Sequence, residues 1–185
     1  MTYYQWLESP LAPLLLTGDG RSLTGLYLQG QKYFPTQTET WTEAAQVGPF
    51  PQVRHQLEQY FAGQRQSFDL PLNPVGTDFQ QQVWHYLPQI PYGTTIAYGT
   101  LAAMLGKPGA ARAVGAANGR NPISIIVPCH RVIAADRQLT GYAGGIDRKR
   151  WLLQHEQALV SPDKSALLQT SLPLFEIPDE TPANR

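Results

Sequence analysis

Read for its alternation of apolar and polar positions, the chain divides into a strand-like first third and a helical remainder. Three short runs, YYQWLES (3–9), APLLLTG (12–18) and SLTGLYL (22–28), are separated by proline or by Gly-Asp-Gly, which predicts three strands joined by turns. From 51 to 64 the apolar residues move to helical spacing, with Val53, Leu57, Tyr60 and Phe61 on one face, Pro51 in the first turn and Gly63 at the end. The stretch 67–77, SFDLPLNPVGT, is proline-rich and extended, and a domain boundary is expected there, giving an N-terminal α/β domain over 1–76. A second domain, 77–160, opens with a helix that Thr77 or Asp78 can cap and that carries an apolar stripe of Phe79, Val83, Trp84 and Leu87. Two short helices follow, AYGTLAAMLG and GAARAVGAANG, joined by Lys107-Pro108-Gly109, with Leu101, Met104 and Leu105 expected on the buried face of the first. The run ISIIV (123–127) reads as a buried strand, and DRKRWLLQHEQAL as a last helix. The proline-containing tail, 161–185, is expected to be weakly ordered.

Composition narrows the class. Hydrophobic residues make up 42% of the 185, enough for a real core. No charged start followed by an apolar run marks a signal peptide, and no run approaches the roughly 18 apolar residues of a membrane span. One cysteine excludes an internal disulfide and a multi-cysteine zinc site. A soluble, cytoplasmic protein without metal or other cofactor is expected, and His55 and His85 read as helix-face histidines rather than ligands. The formal net charge of zero hides an asymmetry: 91–155 carries eight basic and two acidic residues, the rest of the chain six and twelve. That segment presents either an ordinary solvated face or a patch for an anionic partner such as nucleic acid.

Two features carry candidate chemistry. The paired short helices form a helix-turn-helix candidate whose second member has one long polar side chain, Arg112, among alanines and glycines. A helix so slim suits the minor groove, about 6 Å wide; equally, small residues allow tight packing in a core. The lone Cys129 stands beside His130 in NPISIIVPCHRVI. A thiol of ordinary acidity is only a few per cent ionised at neutral pH, so a nucleophilic role needs a base. Adjacent side chains diverge, so His130 would act through a bridging water, with Glu156 able to orient the imidazole. The other reading of such a cysteine is an inert core residue.

The full string, GAARAVGAANGRNPISIIVPCHRVI followed by LTGYAGGIDRKRWLLQHE, resembles the O6-alkylguanine-DNA alkyltransferase family, the methylated-DNA–protein-cysteine methyltransferases, from about Asp78 to Glu156. The resemblance implies an α/β chain: a small sheet-plus-helix, ribonuclease H-like N-terminal domain and a mostly helical C-terminal domain with the helix-turn-helix. It implies a monomer that binds duplex DNA through the minor groove, flips an O6-alkylguanine from the stack and moves its alkyl group irreversibly to Cys129, with O4-alkylthymine as a further substrate. On the matching positions, His130 would be the base, Glu156 its partner, and Asn121 the residue holding the turn before the cysteine. Tyr98 would swing the nucleotide and bond the guanine edge, Val127 and Cys129 would offer carbonyls, and Tyr142 and Ala143 would form the far wall. DNA contacts would fall on Arg112, Tyr98, Gly99, Lys107 and Ala135, with Gln80 and Gln81 near phosphate. Ala143 stands where some relatives have serine, so only its N–H could reach O6. Some relatives hold zinc in the N-terminal domain through cysteines, which this chain lacks there.

Overall fold

The computed structural model describes residues 1–36 and 39–158; the tail expected to be weakly ordered lies outside the described residues. The three strands expected in the first third are present as β1 (Thr2–Leu7), β2 (Leu14–Gly18) and β3 (Leu23–Leu28), paired antiparallel in sequence order. A short β4 (Trp41–Glu43), which has no clear sequence signal, adds to β1 in parallel and completes the order β3-β2-β1-β4. Helix α1 (Phe50–Phe61) buries Phe50, Val53, Leu57 and Tyr60. Helix α2 (Asp78–Tyr86) starts at Thr77, whose hydroxyl accepts the Gln80 N–H while the Gln80 amide oxygen accepts the Thr77 N–H, so two otherwise unpaired donors of the helix start are satisfied. The sequence left Thr77 and Asp78 both open; the cap is Thr77.

After a one-turn 3-10 segment come β5 (Ile96–Ala97), α3 (Tyr98–Met104) and α4 (Ala111–Gly119). Gly106 at φ +68° stops α3 in the left-handed conformation, and the Lys107 N–H closes back on the Ala102 carbonyl. The buried face of α3 is Leu101 and Ala102; Met104, expected inside, is 39% exposed. The helix ends there, so no further turn covers that side chain. Short β6 (Val132–Ile133) pairs with β5, and α5 (Ile146–His155) follows, burying Lys149, Leu152 and Leu153.

The run expected as a strand, 123–127, is instead a compact turn. The Ile126 N–H bonds the Ser124 carbonyl, the Val127 N–H bonds the Ile123 carbonyl, and only Ile123 makes a β-bridge, to Leu26. Flanking Pro122 and Pro128 cannot donate to a ladder, and the Asn121 amide takes the carbonyls a ladder would have used. The edge of β3 reaches this turn: the Leu26 N–H donates to the Pro122 carbonyl at 2.8 Å, and the Ser124 N–H donates to the Leu26 carbonyl at 3.0 Å. One buried cluster runs from Leu14, Leu26 and Leu57 through Val83 and Leu101 to Val127 and Leu152. The sheet therefore backs the segment that carries the cysteine.

Candidate active site

Asn121 organises the turn. Its amide nitrogen donates to the carbonyls of Val127 (2.8 Å) and Ile123 (3.2 Å) and to the Cys129 sulfur (3.2 Å), while its amide oxygen accepts the Ile123 N–H. Holding these contacts places Ile125 at φ +71°, a conformation a β-branched residue adopts only under constraint. Asn118, from α4, donates to the Cys129 carbonyl at 3.1 Å, so α4 and the cysteine are tied directly. The carbonyls of Val127 and Cys129, expected to face a guanine, each accept an asparagine amide and also a backbone N–H, from Cys129 and Val132 respectively.

Cys129 starts a 3-10 turn with His130 and Arg131 and is 4% exposed. Burial pushes its thiol pKa up; the Asn121 amide and the Lys149 charge oppose that. The resting sulfur is therefore a thiol that needs a base. His130 is wholly buried, and burial keeps its imidazole neutral against the pull of Glu156. Its Nε2 lies 2.8 Å from Glu156 Oε1. A carboxylate only accepts, so Nε2 carries the hydrogen and Nδ1 is the free lone pair. Nδ1 is buried and has no protein partner among the described residues. Glu156, just past the end of α5, is also gripped by Arg131 at 2.8 Å; burial works to raise its pKa, but His130 and Arg131 outweigh it and hold the carboxyl at about 2.

Tyr98, at the start of α3, donates its hydroxyl to the Thr140 carbonyl at 3.1 Å, and its ring packs on α4 at Gly115. The same carbonyl accepts from Lys149 Nζ at 2.7 Å. Gly141, at φ +67°, lets the chain pass Tyr98, since a Cβ there would lie 2.7 Å from the hydroxyl. Tyr142 is buried beside this segment, and the Ala143 carbonyl accepts the Lys32 N–H from the N-terminal half. Arg112, Gly99, Lys107 and Ala135 are all exposed. Gln80 and Gln81 use their side chains at the start of α2, on Thr77 and on the Gly76 carbonyl. Of the eight cations of the basic segment, Arg131 and Lys149 are internal. Two open clefts, of about 200 and 670 Å³, border the site turn, the smaller at Asn121 and the larger at Val127, and neither is lined by Cys129. Composition missed three participants: Arg131 and Lys149, which it grouped with surface charge, and Tyr60, whose hydroxyl donates to Glu156 at 2.7 Å from 96 residues away.

Among the described residues no helix is long and apolar enough to cross a membrane, and no cluster of three or more potential metal ligands forms. The sequence matches two domain families: residues 2–74 the 6-O-methylguanine DNA methyltransferase, ribonuclease-like domain, and residues 78–158 the 6-O-methylguanine DNA methyltransferase, DNA binding domain. The methylated-DNA–protein-cysteine methyltransferase of Mycobacterium tuberculosis is 52% identical over 163 residues, 88% of this chain and 97% of that protein. The Mycobacterium leprae protein of the same name is 47% identical over 176 residues, 95% of this chain and all of that one. The crystal structure of Mycobacterium tuberculosis OGT in complex with DNA superposes with a TM-score of 0.77 at 51% identity, covering 84% of this chain and 93% of its own. With both halves matched and the cysteine, histidine and glutamate in one connected site, the chain belongs to the 6-O-methylguanine DNA methyltransferase family.

Proposed function

We propose that this chain repairs alkylated duplex DNA by taking the alkyl group from O6 of guanine onto Cys129, once per molecule. The observation that carries the reading is a buried thiol next in sequence to a neutral imidazole whose Nδ1 has no protein partner among the described residues and whose Nε2 is fixed by an ionised carboxylate. The thiol proton passes through a water to His130 Nδ1, and Glu156 stabilises the imidazolium that forms. The sulfur attacks the alkyl carbon, the carbon–O6 bond breaks, and its electron pair leaves with guanine. Tyr98 eases that departure by donating to the purine ring. The thioether product has no easy hydrolysis, so each chain acts once and needs neither metal nor organic cofactor, and one thiol per chain suits a monomer.

The lesion reaches the sulfur by base flipping, which costs a few kcal/mol and less for a poorly paired base. Arg112, exposed on a helix of small residues, fills the space left in the stack. Gly99, Lys107 and Ala135 touch the backbone beside it. A free, reduced thiol suits the cytoplasm. Intact-protein mass spectrometry after incubation with O6-methylguanine duplex tests the reading: one methyl group is expected, on the peptide holding Cys129. No adduct, or one elsewhere, overturns it. O4-methylthymine duplex in the same assay tests the second substrate.

A further inference from the structure

The Glu156 carboxylate is shared more widely than the pairing with His130 requires. Its Oε1 accepts three donors: the Tyr60 hydroxyl at 2.7 Å, His130 Nε2 at 2.8 Å and an Arg131 guanidinium nitrogen at 3.1 Å. Tyr60 comes from α1, in the half of the chain that holds no other group of the site. Its ring is wholly buried and fixed edge-on against Phe61, Tyr92 and His155, and its carbonyl is tied to His155 Nε2 at 2.7 Å. Burial, reinforced by the Glu156 charge, holds its phenol neutral, so it can only donate to a carboxylate.

We infer that Tyr60 is a positioning residue for alkyl transfer: its hydroxyl fixes Glu156 and takes up part of the carboxylate's charge that would otherwise fall on His130. This rests on the reading in which His130 is the base for Cys129. A carboxylate oxygen with three donors pulls less on each than one with two. A weaker pull leaves the imidazole unprotonated at neutral pH while still stabilising the cation once the thiol proton arrives. The charged and titratable groups around the pair are few. Glu156 faces His130 and Arg131 from the 3-10 turn, Tyr60 from α1 and Tyr92 from the segment after α2; His130 also faces Arg131 and, from α5, Lys149. Of the three donors on this oxygen, Tyr60 is the neutral one whose loss leaves no charge behind, and so it sets the balance.

The test is Tyr60→Phe, which keeps the ring and removes the oxygen, read by two measurements on the full chain. NMR titration of the His130 imidazole is expected to give a pKa raised by roughly half a unit or more. Single-turnover transfer from O6-methylguanine duplex is expected to show its acidic limb displaced upward by the same amount. Unchanged His130 titration, or a slowing by one factor at every pH, overturns the inference and leaves Tyr60 a packing residue. Should the phenylalanine variant fail to fold, 3-fluorotyrosine at position 60 supplies a stronger donor without loss of packing and is expected to shift both readouts downward; no shift overturns the inference equally. The NMR readout needs no transfer chemistry, so it separates failure of this inference from failure of the alkyl-transfer reading, which shows as wild-type protein with no adduct on Cys129.

Discussion

Lys149 Nζ is wholly inside the protein, held by the carbonyls of Val132 (2.6 Å) and Thr140 (2.7 Å), with no carboxylate pairing it among the described residues. Burial lowers its pKa from 10.5 to about 8. Between those values the unfolded chain keeps a proton that the folded chain has lost, so this lysine adds stability as pH rises from about 8 toward 10. Lys149→Met is expected to abolish that rise, read as urea midpoints across the range; an unchanged pH dependence refutes the assignment. Asn121→Ala leaves the buried Ile123 N–H without its acceptor and strips one of two bonds from each of the Ile123 and Val127 carbonyls, and is expected to cost about 1–3 kcal/mol in denaturant unfolding. Cys129→Ser should bind alkylated duplex with unchanged affinity in a gel-shift assay and transfer nothing. At this scale the sequence was informative where chemistry is local. Cys129 beside His130 could be read directly. The depth of Lys149 and the reach of Tyr60 depend on residues dozens of positions away.

The helices and the site turn behave differently as elements. Caps and apolar stripes located α1 and α2 from sequence, because Thr77, Pro51 and the stripe residues act within a turn or two. The run 123–127 reads as a strand because β-branched residues favour strands, while prolines on both sides and one asparagine amide fold it into a turn. Helix α4 presents Arg112 outward with Ala113 and Ala116 also exposed. Arg112→Ala is expected to slow transfer from duplex about tenfold or more, while transfer from free O6-benzylguanine changes little; equal slowing on both contradicts the stacking role. The segment 134–145 packs against Tyr98 at Thr140 and Gly141. Gly141→Ala forces a Cβ into the left-handed region and against the Tyr98 hydroxyl, a cost of about 1–2 kcal/mol or more in unfolding experiments.

At the level of the whole molecule, fold class and the order of elements were legible, since strands precede helices and a proline-rich stretch separates them. The dependence of one half on the other was not, because it runs through backbone carbonyls and N–H groups at Leu26, Lys32 and Tyr60, none of which has a side-chain signature in sequence, and through one phenol. Residues 77–158 produced alone lose the Leu26 partner of the 122–124 turn and the Tyr60 donor to Glu156. That fragment is expected to unfold non-cooperatively and to transfer at a small fraction of the rate of the full chain, measured by calorimetry and single-turnover assay; a fully active fragment refutes the coupling. The rim of the third strand is stitched to the peptide just behind the sulfur. A blow that loosens the sheet therefore disarms the nucleophile in the same motion, and a damaged copy falls silent as one piece instead of lingering on DNA with half its machinery intact.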